Sequence, residues 1–379
     1  MILFLHNRYR TSGGEERVVE DLRWLVGEHL GEASELLDRD SARLGRATAA
    51  AGLLRGGLHP DEVARAVRAS GARVVHAHNL HPSLGWRALA AARAEGARVV
   101  LHLHQYRLVC AIGVCFTDGA ECTRCHGRDT RPGVRLNCRG SVPESLAYGA
   151  ALALWQRRLL EQADAILVPS VFARERLRAL GAPLPWERVS VIAPPVRVAL
   201  DGPAAEAPAG GHALLVARLA AEKGVGVAID ACRLAGVALV IAGDGPEREA
   251  LQRRAGAGAV RFAGRVDDAE LATLRAGASI ALAPSLSAET FGASVAEAMA
   301  AGLPVAASRV GALPELLEDD ALVAPGDPVE LAAAIERLAG DRAAGARGRV
   351  RIAELCAPER VAESLAAVYD GRECAPSRS

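Results

Sequence analysis

Two α/β domains of Rossmann type, facing a cleft, are what this chain predicts. Three observations carry the expectation. Short apolar runs alternate with helical patterns along almost the whole length, as parallel sheets covered by helices require. At 379 residues the chain exceeds what one core usually holds. The alternation is interrupted by RVALDGPAAEAPAGG, residues 197–211, which is poor in large apolar side chains and reads as a linker.

The elements follow in order. In the first half, residues 1–196, Ile2–Leu5, Val74–Ala77, Val99–Leu103 and Ala165–Val168 read as buried strands. Helical patterns lie between them at Glu15–Gly27, Asp61–Ala69 and Pro82–Glu95. After the linker the pattern restarts over residues 212–355. Strands are predicted at Ala213–Ala217, Val237–Ala242, Ser279–Ala283 and Val305–Ala307, with helices at Val225–Ala235 and Glu247–Ala255. No sequence repeat relates the halves. Ligand is expected between the carboxyl ends of the strands.

Composition narrows the function classes. Lys and Arg total 45, as do Asp and Glu, so no bulk field favours nucleic acid or an anionic membrane. Five apolar residues open the chain, too few for a signal segment, and no stretch reaches membrane-spanning length, which predicts a cytoplasmic protein. The eight cysteines are then expected as thiols or metal ligands rather than disulfides.

The most informative segment is PSLSAETFGASVAEAMAAGLPVAAS, residues 284–308. Glu289 and Glu297 stand with seven residues between them, Phe291-Gly292 follows the first, and an Ala/Met-rich helix carries the second. Gly302 supplies a left-handed helix stop, and Pro304 opens a strand. The first-turn amides around Gly292 to Val295 favour a phosphate above the helix N-terminus. Glu297, too deep to cap, is placed to accept hydrogen bonds from sugar hydroxyls. In LLVARLAAEKG, Arg218 and Lys223 sit at a strand-to-helix junction, where a diphosphate would meet both cations. Two solvated surface charges are the bland alternative, outweighed by the carboxylate segment in the same domain.

Other motifs say less. AGDGPERE, residues 242–249, lacks the third glycine of a dinucleotide fingerprint and speaks against a nicotinamide enzyme. FAGRV, residues 262–266, reads as a turn after a short strand that could present backbone groups to a base. Gly13 and Gly14 open a helix after the first strand, either admitting a ligand to the backbone or forming an ordinary turn.

Histidines and cysteines cluster in the first half. His76 with His78, and His102 with His104, stand at strand ends with period-two spacing. His104 is the one expected to face the cleft. Cys110, Cys115, Cys122, Cys125 and Cys138 fall in one Gly- and Arg-rich loop. Of these, Cys110, Cys122, Cys125 and Cys138 form a candidate structural zinc site, with free thiols or a redox pair as alternatives.

Together these residues resemble the retaining nucleotide-sugar glycosyltransferases of the GT-B fold with the E-x7-E signature, the glycosyltransferase family 4 type. The resemblance runs from GGEERVVEDL and VVHAHNLHP through LHLHQYRLVC and ARLAAEKG to ETFGASVAEAMAAGLPVAAS. The last segment is the most specific. DGAECTRC resembles a Cys-rich branch found in polysaccharide and glycoconjugate assembly. Thr290 stands where the family often has Pro, and Gln105 where Asp or Asn often follows the histidine.

The resemblance implies sugar transfer from a nucleotide diphosphate to an acceptor hydroxyl, with retained configuration and no catalytic metal. Arg218 and Lys223 would neutralise the diphosphate, and Glu297 would hold the ribose. Glu289 would contact the donor sugar beside the amides of Phe291 and Gly292. His104 would hydrogen-bond the sugar, and Gly13-Gly14 would admit phosphates or acceptor. The acceptor would be a carbohydrate, a lipid-linked sugar or a small molecule. The last helix, about 356–370, would pack back on the first domain, leaving GRECAPSRS as a disordered tail. The alternatives are a nucleotide-sugar epimerase or phosphorylase on the same scaffold, and a non-catalytic sugar-nucleotide-binding protein. PESLAYGAALALWQRRLL, residues 143–160, is either a core helix or a peripheral contact with the inner membrane face.

Overall fold

The computed structural model of the protein describes residues 1–9, 13–197 and 211–372. The expected linker, but for its first and last residues, and most of the expected tail lie outside the described residues. The chain divides into two compact units. One gathers Met1–Thr117, Cys122–Pro195 and the segment from Pro358 on; the other gathers Val196–Ala357 and the short piece Asp118–Glu121.

The first unit is built on six parallel strands. In chain order these are β1 (Ile2–Arg8), β2 (Ser34–Asp40), β3 (Val74–Ala77), β4 (Arg98–His102), then β7 (Ala165–Val168) and β8 (Val189–Val191). A small hairpin of β5 (Phe116–Thr117) and β6 (Ala120–Glu121) precedes β7. The sheet order is β2-β1-β3-β4-β7-β8, so the winding reverses between β1 and β3. Their carboxyl ends therefore flank a switch-point crevice. Strand β2 was not legible in the sequence. It is an edge strand, SELLDRD, with partly exposed residues throughout, and it pairs with β1 alone.

The core of this unit joins Phe4, Leu22, Leu25, Val74, Val100 and Leu167 to the C-terminal helix Pro358–Tyr369. That helix presents Val361, Leu365 and Val368 to helix Gly14–Leu30, a spacing of four and three that keeps one face inward. Polar contacts fix its end. Tyr369 Oη lies 2.7 Å from His76 Nδ1, and Arg98 Nε donates to the Val368 carbonyl at 2.9 Å.

The second unit holds β9 (His212–Val216), β10 (Leu239–Ala242), β11 (Val260–Gly264), β12 (Ala278–Ala283), β13 (Val305–Ser308) and β14 (Leu322–Val323). All pairs are parallel, in the order β11-β10-β9-β12-β13-β14, so the switch point falls between β9 and β12. Phe262–Gly264, expected as a turn, is the end of β11 itself. The glycines of AGDGPERE serve packing. A Cβ on Gly243 would stand 1.9 Å from the Ala217 carbonyl oxygen, and one on Gly245 2.3 Å from that of Leu219.

The docking of the last helix yields a stability prediction. Leu365 is fully buried, so Leu365→Ala is expected to cost about 2–5 kcal/mol. Urea denaturation followed by circular dichroism measures it. A midpoint unchanged from wild type would show that this face contributes no core.

Candidate functional site

In the second unit the candidate site lies where β9 and β12 end. Gly224 follows Lys223 with φ of +62°, and a Cβ there would stand 1.9 Å from the Pro284 carbonyl oxygen. Only glycine lets the loop after β9 press on the loop after β12. The contact is secured by the Leu286 amide, which donates to the Glu222 carbonyl at 2.8 Å. The loop after β13 presses from the other side. A Cβ on Gly311, at φ +60°, would fall 2.2 Å from the Glu289 amide nitrogen, and the Ala312 amide donates to the Glu289 carbonyl at 2.9 Å.

Those approaches set the charges in place. Lys223 Nζ donates to Glu289 Oε1 at 2.6 Å, and Ser285 Oγ donates to the same oxygen at 2.5 Å. Arg218 is held by Glu222, a residue that is itself buried. Burial pushes the Glu289 carboxyl up, but Lys223, Ser285 and Arg218 outweigh it and carry it below the usual range. The site thus presents Lys223 and Arg218 as cations whose side chains are 26% and 39% exposed, each steadied by a carboxylate.

Helix Ala293–Ala300 begins at Gly292, whose φ of +100° turns the chain into it. The Phe291 side chain is buried. Gly302 stops the helix at φ +80°, with the Leu303 amide closing on the Ala298 carbonyl at 3.1 Å. Glu297 is paired with Arg275, which comes from helix Asp268–Ala276. Sequence reasoning missed Glu222, Arg275, Ser285 and Gly311. The spacing of four from Arg218 to Glu222, and from Ser285 to Glu289, was the signal available.

In the first unit, His104 stands two residues beyond β4 and pairs its Nε2 with His78 Nδ1 at 2.7 Å. Gly13 caps helix Gly14–Leu30 in ordinary extended geometry, and its amide donates to Glu16 Oε2 at 2.8 Å. No described atom lies within 4 Å of a Cβ built on Gly14. Around them gathers a polar set unseen in the sequence. Tyr9 Oη donates to Glu15 Oε2 at 2.5 Å, Gln105 Nε2 reaches the same oxygen at 3.4 Å, and Arg107 Nε donates to Gln105 at 3.0 Å. Burial raises the Glu15 carboxyl above its ordinary value, although His6, Tyr9 and Arg107 oppose the shift. Gln105, which departs from the family pattern, is thus the link between an acid and a guanidinium.

The histidines form a stack. Rings of His104, His102, His76 and His78 lie 4.0–5.4 Å apart in successive pairs, at interplanar angles of 7–26°. Phe4 stacks beyond, 5.2 Å from His76. His76, His78 and His102 bring three nitrogens within 4.8 Å of one another. His76 also engages both its nitrogens, with Tyr369 and His102. The cysteine loop, by contrast, brings Cys110, Cys115, Cys122, Cys125 and Cys138 around one small cavity. Cys115 was left out of the sequence-based ligand set.

Residues 14–195 match the model described as Glycosyl transferase 4-like domain, and residues 211–341 that of Glycosyl transferases group 1. The chain is 42% identical over 113 residues to the MMP alpha-(1->4)-mannosyltransferase of Mycolicibacterium hassiacum, covering 28% of this chain and 27% of that one. It is 41% identical over 129 residues to the phosphatidyl-myo-inositol mannosyltransferase of Mycobacterium leprae, covering 31% and 34%. The matched stretch thus spans about a third or less of these curated relatives. Among solved structures, a sucrose-phosphate synthase of Thermosynechococcus elongatus superposes with a TM-score of 0.71 at 20% identity, over 98% of each chain. Anabaena HepE, in complex with UDP and glucose, gives 0.64 at 18% identity, over 98% and 99%. The fold is GT-B, and each unit matches a model described as a glycosyl transferase domain.

The histidine stack predicts a pH dependence. Burial lowers His76 to about 3 and His81 to about 4, and holds His78, His102 and His104 well below the ordinary value. Below about pH 6.5 the unfolded chain therefore binds protons that the folded chain refuses, and stability falls as pH falls. Each ring contributes up to about 1.4 kcal/mol per pH unit over that window. Urea midpoints measured from pH 7.5 to 5 are expected to drop steadily; a flat profile would contradict the buried neutral stack.

Proposed function

We propose that the protein transfers a sugar from a nucleotide-diphosphate donor to an acceptor hydroxyl with retention of anomeric configuration. The observation that supports this most is the Lys223–Glu289 pair beside Arg218, at the switch point of the second sheet. Two cations at a strand end beside helix N-termini suit a diphosphate, whose negative charge grows as the bond to the sugar breaks. In this reading Lys223 and Arg218 stabilise the departing diphosphate, and Glu289 steadies Lys223 and meets the donor sugar. Glu297, held by Arg275, binds the ribose hydroxyls. The amides of Phe291 and Gly292 lie beside the donor, and His104 hydrogen-bonds the sugar. Gly13 and Gly14 leave room for phosphate or acceptor. The acceptor hydroxyl attacks the anomeric carbon on the face the diphosphate leaves, and its proton passes to the departing phosphate oxygen.

The mannosyltransferases among the relatives make mannose the first sugar to try, since one of them, a phosphatidylinositol dimannoside mannosyltransferase of Mycobacterium tuberculosis, is GDP-mannose-dependent. A thermal-shift screen against GDP, UDP, ADP and dTDP sugars selects the donor, because a ligand bound to the native state raises the melting temperature. With that donor, Lys223→Ala and Glu289→Ala are each expected to lower kcat by about 100-fold or more at a temperature where the variant is still folded, although each leaves its partner's charge unpaired and lowers the melting temperature. Full activity in both variants would overturn the assignment. Selective donor binding without turnover toward any acceptor would favour the non-catalytic reading.

A lipid-linked acceptor is the form that helix Val142–Glu161 favours. Its inner face buries Tyr148, Leu152 and Leu159, while Leu146 and Leu154 are each 55% exposed, four-residue multiples apart on the outer face. No described helix is long and apolar enough to cross a membrane. The outer face is suited to lie on a bilayer with Arg157 and Arg158 at its end. Co-sedimentation with anionic vesicles is expected, and it should weaken in Leu154→Glu. Protein left wholly in the supernatant would remove the membrane contact.

A further inference from the structure

The loop between Tyr106 and Ser141 has little regular structure of its own. It holds a single 3-10 turn, the two-residue strands β5 and β6, and helix Arg131–Arg135. So long a segment with few elements needs another source of order. Its interior is where the sulfurs meet. Cys110, Cys115, Cys122, Cys125 and Cys138 all line one cavity of about 10 Å³, closed by Ile112, Phe116 and Leu136. That is room for a single water or ion. None of the five is disulfide-bonded.

Two sulfurs already collect backbone donors. Cys110 Sγ accepts from the amides of Ile112, Gly113 and Cys115, and Cys125 Sγ from those of Ala111 and Gly133. Amides turned onto sulfur form the outer layer of donors that a metal–thiolate centre takes. Gly133 must be glycine for this packing, since a Cβ there would stand 2.4 Å from the Ala111 Cβ. The Cys115 thiol is spent on the Cys110 sulfur, which it hydrogen-bonds. Cys138 Sγ donates to the Thr117 hydroxyl, at 3.7 Å. Cys122 and Cys125 have the spacing of a chelating pair.

We propose that this cavity is a structural Zn²⁺ site ligated by Cys110, Cys122, Cys125 and Cys138, with Cys115 outside the shell as a positioning residue on Cys110. An all-sulfur set of four selects zinc in closed tetrahedral geometry. Among the described residues only the stacked histidines bring three ligand atoms within 4.8 Å, so the sulfurs ring the cavity more widely than a bound ion requires. Binding therefore draws them inward and orders the loop, coupling metal to local folding. Four thiols release four protons to solvent, and the site keeps a net charge of −2. Arg139 stands nearby, with Nη1 donating to the Ala111 carbonyl at 2.8 Å and Nη2 paired with Glu144 at 2.7 Å.

The test is elemental analysis of the full chain, produced in zinc-supplemented medium and purified without chelators. About one zinc per chain is expected. Cys125→Ser should fall below about a tenth of that, while Cys115→Ala keeps it. Zinc loss in Cys115→Ala, or full retention in Cys138→Ser, would overturn the ligand assignment. Because a ligand variant can fail to fold, the wild type is also titrated with a mercurial in the presence of a zinc indicator. Zinc release in step with thiol modification supports the site. No zinc, with every thiol reactive or with two lost to a disulfide, overturns it.

Discussion

Backbone pressed on backbone is the constraint from which the second unit's site follows. At Gly224 and Gly311 the loops after β9 and β13 lie so close to the segment 284–289 that no side chain fits between them. Parallel strands supply the cause. Every strand ends on the same edge, so their outgoing loops compete for one small area. Glycine at the two crowded positions lets the loops overlap. Glu289 is then held by its backbone from one side and by Lys223 and Ser285 at its carboxylate. A bulkier residue at either position would move the charges before it touched any ligand.

Each cation of the site is met by an acid. Arg218 has Glu222, Lys223 has Glu289, and Arg275 has Glu297. Half-buried charges are tolerated only when paired, because desolvation otherwise exceeds what a single contact returns. The pairs also aim the cations. A lysine on four rotatable bonds is a diffuse charge in water and a directed one when a buried carboxylate holds it. The electrostatics are thus in place before any ligand arrives, which is the arrangement that stabilises charge developing during a reaction.

The first unit solves a different problem. Its β3 and β4 carry histidines where a sheet core usually carries aliphatic side chains, and the rings stack on each other and on Phe4. Burial keeps them neutral. Tyr369, from the last helix of the chain, bonds the innermost ring. The polar group at the strand ends, with Glu15, Gln105, Arg107 and His104, is therefore underlain by a rigid layer that the C-terminus completes.

Much of this was legible from the residues alone. The central strands were readable because burial on both faces demands unbroken apolar runs, and the segment 284–308 announced its loop, helix and stop through Glu289, Gly292 and Gly302. The edge strand β2 was not, since a strand exposed on one side tolerates SELLDRD. His76 and His78 were seen, but not their stack, because the rings of His102 and His104 come from the neighbouring strand. Sequence determined what is local: periodicity, the glycine stops, and the residue types able to carry charge. Tertiary structure alone decided which acid holds which cation, that Gly224 and Gly311 are the crowded positions, and that five cysteines share one cavity. Those are contacts between segments far apart in the chain, and no local pattern encodes the distance that closes them.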